Sequence, residues 1–111
     1  MGESAAALFL ERRGFKILKK NFWTRWGEID IIAERGGAVH FIEVKTRSGL
    51  RCGEPEEAIN YFKLRRLRVA AEIFLKTRQS REISCQFDSL AVLVDERRGA
   101  ATLRFKENIV S

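Results

Sequence analysis

The sequence is short of the residues that staple or interrupt a chain. It holds one proline, one histidine and two cysteines. Cys52 and Cys85 form no CxxC pair, and His40 stands alone, so the usual cysteine and histidine zinc constellations are excluded. The two thiols read as buried or incidental free thiols in a reducing cytoplasm. Long apolar runs are also missing. The stretch Ala5–Leu10 is too short to span a membrane or to serve as a signal sequence, and Glu11, Arg12 and Arg13 follow it directly. No repeat, low-complexity tract or linker divides the chain, so residues 1–111 read as one cytoplasmic domain without membrane attachment.

What is present suits a folded globule. The 111 residues are 45% hydrophobic and 32% charged, enough to build one core and too apolar for a disordered chain. The charge is unbalanced: 21 Lys and Arg against 15 Asp and Glu give a formal net charge of +6. That balance favours acidic partners, nucleic acid before others.

The patterning predicts the order α-β-β-β-α-β-β. A helix is expected over Glu3–Arg13, stopped by Gly14. A short strand is expected over Phe15–Lys19, with Asn21–Trp26 as a loop or irregular strand. Glu28–Arg35 and Ala38–Thr46 are the clearest strands. Ser48–Gly53 reads as a loop, and Pro55 opens a long helix reaching Arg78. Gln86–Asp95 and Ala101–Lys106 form a second hairpin around Arg97-Arg98-Gly99. The class is mixed α/β.

Gly36-Gly37 between two apolar runs predicts a two-residue hairpin, because both turn positions need positive φ. Such a turn fixes the register. Arg35 faces Ala38, and continuing the ladder places Asp30 opposite Glu43 and Glu28 opposite Lys45. By alternation Glu28, Asp30, Phe41, Glu43 and Lys45 share one face, and Ile29, Ile31, His40, Ile42 and Val44 share the other. Two opposed carboxylates repel. A divalent cation, a raised pKa on one carboxyl, or a cation supplied by the protein would relieve them. Converging carboxylates are hard oxygen donors of the kind that Mg²⁺ prefers, and a lysine two residues on can orient an attacking water or steady charge on a phosphate. The competing reading is an ordinary cross-strand ion pair between Glu28 and Lys45.

The residues Gly2-Glu3-x-Ala5-Ala6, Gly14-Phe15-x-Ile17-Leu18, Asn21, Gly27-Glu28-Ile29-Asp30, Phe41-Ile42-Glu43-Val44-Lys45-Thr46-Arg47, Gly53-x-Pro55-x-x-Ala58-Ile59 and Lys63 follow one another in order. This set resembles the bacterial YraN-like family, itself similar to the archaeal Holliday junction resolvases of the PD-(D/E)XK nuclease superfamily. Ile29 stands where the motif's name has proline. The resemblance implies a restriction-endonuclease-like fold, with a central mixed sheet flanked by helices. It implies Mg²⁺ or Mn²⁺ at Asp30 and Glu43, Lys45 as the motif's lysine, Glu3 as the acidic residue of the first helix, and a homodimer. The expected activity is metal-dependent hydrolysis of phosphodiester bonds in branched or structured DNA, with the Val44 carbonyl as a further metal ligand. The alternative is a non-catalytic nucleic-acid-binding or adaptor module that keeps the fold.

Arg47, Arg25 and Arg51 are candidate phosphate contacts, as are Lys19 and Lys20. On the long helix Lys63 and Arg66 fall within the apolar stripe of Ala58, Ile59, Phe62, Leu67, Val69, Ala70, Ile73 and Phe74, and are expected to point into a cleft for DNA. Trp23 and Trp26 read as core or dimer packing, with stacking on an unpaired base as the other use. Asp88 reads as a structural hydrogen-bonding residue.

Overall fold

Helix α1 (Gly2–Arg12) buries Ala6, Ala7 and Leu10 and stops at Gly14. Gly14 takes a φ of 89°. The Phe15 N–H bonds the Leu10 carbonyl at 3.0 Å and the Gly14 N–H bonds that of Glu11 at 3.1 Å. That is the Schellman pattern, and Phe15 packs in the same apolar cluster as Leu10. These relationships come from a computed structural model, which describes residues 2–48, 61–78 and 84–109, without the side chains of residues 2, 3, 48 and 61.

Five strands follow: β1 (Lys16–Thr24), β2 (Gly27–Arg35), β3 (Ala38–Ser48), β4 (Ser84–Asp95) and β5 (Ala100–Lys106). They form one sheet in chain order. All neighbours are antiparallel except β3 and β4, which run parallel. A parallel pair needs a crossover, and helix α2 (Tyr61–Thr77) lies in that connection. The expected helix start at Pro55, with Ala58 and Ile59, falls outside the described residues.

Each helix covers its own apolar cluster. On the α1 side Ala6, Leu10 and Phe15 pack with Ile31, Ala33, Ile42, Leu90 and Val92. On the α2 side Leu67, Ala70, Ala71 and Phe74 pack with Ile29, Ile32, Val39 and Phe41. The middle strands are buried on both faces, which is why β4 is buried from Asp88 to Val92 without alternation. This is an α/β architecture with a mixed sheet between helices, the restriction-endonuclease-like arrangement. Among the described residues no helix is long and apolar enough to cross a membrane.

Three expectations change. The first strand does not stop at Lys19. It runs to Thr24, so the irregular-strand alternative for Asn21–Trp26 holds that far, with a register shift between Ile17 and Lys19 and a positive φ of 52° at Asn21. Those irregularities break the two-residue period from which a strand is read. Phe62, placed on the apolar stripe, is 71% exposed. Trp23 and Trp26 are not core residues, at 75% and 54% exposed.

The Gly14 cap provides a test. A Cβ at this position would meet nothing within 4 Å, so Gly14→Ala should cost only the left-handed backbone penalty of about 1–2 kcal/mol. Leu10→Ala, which empties a fully buried site, should cost about 2–5 kcal/mol. Denaturant melts of the two variants should rank them in that order.

Candidate metal centre

The Gly36-Gly37 turn forms as its sequence requires, with φ of 59° and 79°. The ladder then pairs Arg35 with Ala38, Glu34 with Val39, Ala33 with His40, Ile32 with Phe41 and Ile31 with Ile42. There the pairing of β2 with β3 ends. The expected oppositions of Asp30 with Glu43 and Glu28 with Lys45 do not form as ladder pairs. Beyond Ile42, β3 stays in unbroken parallel register with β4 as far as Ser48, while the start of β2 stays with β1. The two strands part like the arms of a fork.

Asp30 sits in the fork. In a continued ladder Val44 would exchange main-chain hydrogen bonds with Ile29, since such pairs alternate along antiparallel strands. Instead the Val44 N–H donates to Asp30 Oδ2 at 2.8 Å. The carboxylate replaces a carbonyl, and its side chain turns toward β3. The alternation of β2 breaks at this residue. Ile29, expected on the face of Ile31, packs in the α2-side cluster with Ile32 and Phe41.

A cleft of about 220 Å³ opens between the strands, lined by Glu28, Asp30, Glu43, Lys63 and Leu67. Glu43 is 7% exposed. Its Oε1 forms an ion pair with the Lys63 ammonium, and its Oε2 is buried with no hydrogen-bond partner among the described residues. A buried carboxylate oxygen left unsatisfied is costly and uncommon. Of the three ways to relieve two nearby carboxylates, the fold supplies a protein cation, Lys63 from α2. Helix α2 reaches the site because β2 begins with Gly27. A Cβ there would stand 3.3 Å from the Arg66 Cβ and 3.5 Å from the Arg66 carbonyl oxygen.

The other predicted site residues divide clearly. Lys45 is half-buried and shares the face of Glu43 by strand alternation, next to the cleft but not among its lining residues. Arg47 is half-buried and donates to the Thr46 carbonyl at 3.2 Å. Arg66 and Arg25 are exposed. Glu3 lies in α1, but its side chain is outside the described residues, and so is Arg51.

A second constellation escaped the sequence, because its members are far apart in the chain. His40, Asp88 and Glu107 bring possible ligand atoms within 4.8 Å of one another. Asp88 is fully buried. It accepts from His40 Nδ1 at 2.6 Å, from Gln86 Nε2 at 2.8 Å and from the Asn108 N–H at 2.8 Å. Glu107 pairs with Arg35 at 2.8 Å. These acceptors are already served by protein donors, so the group ties β3 to β4 and to the segment after β5. Asp88 is thus the structural residue the sequence suggested.

The comparisons bear on the chain as a whole. Residues 2–92 match the model of "Uncharacterised protein family UPF0102". The chain belongs to this family. A UPF0102 protein of Syntrophomonas wolfei is 41% identical over 95 residues, covering 86% of this chain and 83% of its own length. One from Pelotomaculum thermopropionicum is 39% identical over 108 residues, 97% of this chain and 90% of its own. One from Symbiobacterium thermophilum is 46% identical over 91 residues, 82% of this chain and 77% of its own. The UPF0102 match spans α1, the forked hairpin, α2 and most of β4, so the cleft lies wholly within it.

The ion pair can be tested without any ligand. Lys63→Met removes the cation beside buried Glu43. Because the lysine end is half exposed, the loss should be modest, about 1 kcal/mol. Adding Glu43→Gln should return most of it. A double-mutant cycle by denaturant melts that finds no coupling between the two positions would contradict the assigned pair.

Proposed function

We propose that this UPF0102 protein is a divalent-metal-dependent endonuclease that hydrolyses phosphodiester bonds in branched or structured DNA. The observation that carries the reading is the buried Oε2 of Glu43, which has no hydrogen-bond partner among the described residues, in a cleft that also holds Asp30. Carboxylate donors converging on a partly open cleft fit Mg²⁺ or Mn²⁺, which take hard oxygen ligands and keep several waters. Asp30 and Glu43 would hold the ion. The Val44 carbonyl is a further candidate ligand, since the N–H and C=O of one strand residue point to the same edge and the Val44 N–H points at Asp30. When bound, such an ion polarises a phosphoryl oxygen and makes water a better nucleophile at neutral pH.

The chain's own residues supply the rest. Lys45, on the face of Glu43, would orient the attacking water and offset negative charge growing on the phosphate. Lys63, which lines the same cleft, would offer its ammonium to a phosphate bound there. Arg47, Arg66 and Arg25 would bind flanking phosphates, the role for which charge alone suffices. Glu3, on α1, is the candidate for an outer position or a second ion. The Lys63–Glu43 pair also favours a second reading, a nucleic-acid-binding or adaptor module, because it neutralises the buried acid without any metal.

Two predictions separate these. Asp30→Asn keeps an oxygen to accept the Val44 N–H, so its metal-free melting temperature should match the parent. It should lose the rise in melting temperature that Mn²⁺ gives a binding-competent fold, and it should lose cleavage by about a hundredfold or more. Lys45→Ala should keep the Mn²⁺ response and lose cleavage. If Asp30→Asn cuts a panel of branched and flapped DNAs at the parental rate, the site is wrong. If the parent binds DNA but never responds to Mn²⁺ and never cuts, the adaptor reading replaces it.

Phosphate contacts are measured by salt. The logarithm of DNA affinity should fall linearly with the logarithm of salt concentration, and Arg47→Ala should reduce that slope by about 1. A salt-independent affinity would remove nucleic acid as the partner.

A further inference from the structure

The chain has two tryptophans, and neither serves the core. Trp23 is 75% exposed at the end of β1, and Trp26 is 54% exposed in the turn before β2. Exposing two large aromatic rings on one short hairpin tip is costly in water, and it calls for something that covers them. The tip is held rigidly. The Thr24 hydroxyl accepts from the Trp26 N–H at 3.1 Å and the Gly27 N–H at 3.0 Å, and donates to the Gly27 carbonyl at 2.7 Å. The Arg25 guanidinium lies 5.2 Å from the centre of the Trp26 ring, within cation–π range.

The tip also lies beside the cleft. Trp23 is the cross-strand partner of Glu28, a lining residue. Trp26 precedes Gly27, which packs against α2 at Arg66, one turn beyond Lys63. Aromatic faces interleaved with Arg25 and Arg66 are the composition that receives nucleobases between phosphates. Each ring takes a π-face of any base, and each guanidinium takes a phosphate. A purely apolar protein partner would have no use for the arginines, whose charge remains exposed.

We infer that the Trp23–Gly27 hairpin tip is a base-stacking platform, on which Trp23 and Trp26 hold unpaired nucleobases of the strand whose phosphate lies in the cleft. The inference rests on the nuclease reading and narrows it. The substrate class is nucleic acid with unpaired bases next to the scissile position, such as the centre of a branch or the base of a flap. Fully stacked duplex offers the platform nothing, because its base faces are already occupied.

The test uses the full chain in metal-free buffer with chelator. Tryptophan fluorescence, which here reports on the tip alone, is followed while a short single-stranded oligothymidine is added. An abasic oligomer of the same length and phosphate count is the control. The expected result is strong quenching by oligothymidine, little by the abasic strand, and an affinity at least about tenfold higher for the strand with bases. Trp23→Ala and Trp26→Ala should each lose most of that preference and leave affinity for the abasic strand unchanged, while Trp26→Phe should retain most of it. Both rings are exposed, so the variants should melt as the parent does. Equal affinity for the two strands overturns the platform. So does a concentration-dependent dimer, seen by sedimentation, that the double variant Trp23→Ala/Trp26→Ala abolishes, for then a second copy covers the rings. Mn²⁺-dependent cleavage of branched DNA by the same preparations keeps the two ideas apart. Cutting with no base preference sinks the platform and leaves the nuclease, and base preference without cutting does the reverse.

Discussion

The hydrogen bond from the Val44 N–H to Asp30 stands at the point where a continuous sheet becomes a site. A ladder that ran on past Ile31 and Ile42 would set two carboxylates side by side and close the space between β2 and β3. The side-chain acceptor satisfies the backbone group that the parting strands would otherwise strand, so β3 can commit its far half to β4. The cleft exists because one backbone donor was satisfied by a carboxylate and not by a carbonyl.

That choice has consequences on both sides of the sheet. On β2 it turns the side chain of residue 30 toward β3 and lets Ile29 join the α2 cluster with Phe41 and Leu67. On β3 it leaves Glu43 buried at the mouth of the fork, facing α2 and not another strand. Glycine at position 27 lets that helix come close, and Lys63 then meets Glu43 from above. A cation near buried Glu43 offsets part of the cost of burying its charge. Lysine supplies one here, through one oxygen, and the other oxygen has no partner among the described residues.

The two faces of the sheet carry different duties. The α1 side is almost wholly apolar and ends in the buried His40–Asp88 pair, which fastens β3 to β4 through side chains as well as main chain. The α2 side combines a core with the acidic cleft and leads out to the exposed tryptophans. Stability is concentrated where β4 runs between both clusters. The acidic cleft lies where β2 parts from β3 while keeping its pairing with β1.

The chain's local physics determined much by itself. Gly14 announced a helix stop. Gly36-Gly37 set a register that holds for every residue up to Ile31 and Ile42. The periodicity placed Glu43 and Lys45 on one face and gave the order of elements. These features depend on residues adjacent in sequence, or on a turn whose backbone angles only glycine reaches easily. Other features were not legible, because they depend on competition between neighbours distant in the chain. Extrapolating the hairpin ladder failed at Asp30, since β4 and β1 each claimed one of its strands. Lys63 could be placed toward a cleft by its helical position, but not on Glu43, because that pairing depends on how closely α2 approaches Gly27. Trp23 and Trp26 resembled core residues, since hydrophobicity alone does not say which side of a strand end is covered. The two helices already fill the faces of the sheet, and the hairpin tip projects beyond them. Only the tertiary structure decides that, because burial is a property of the neighbours a residue meets and not of the residue.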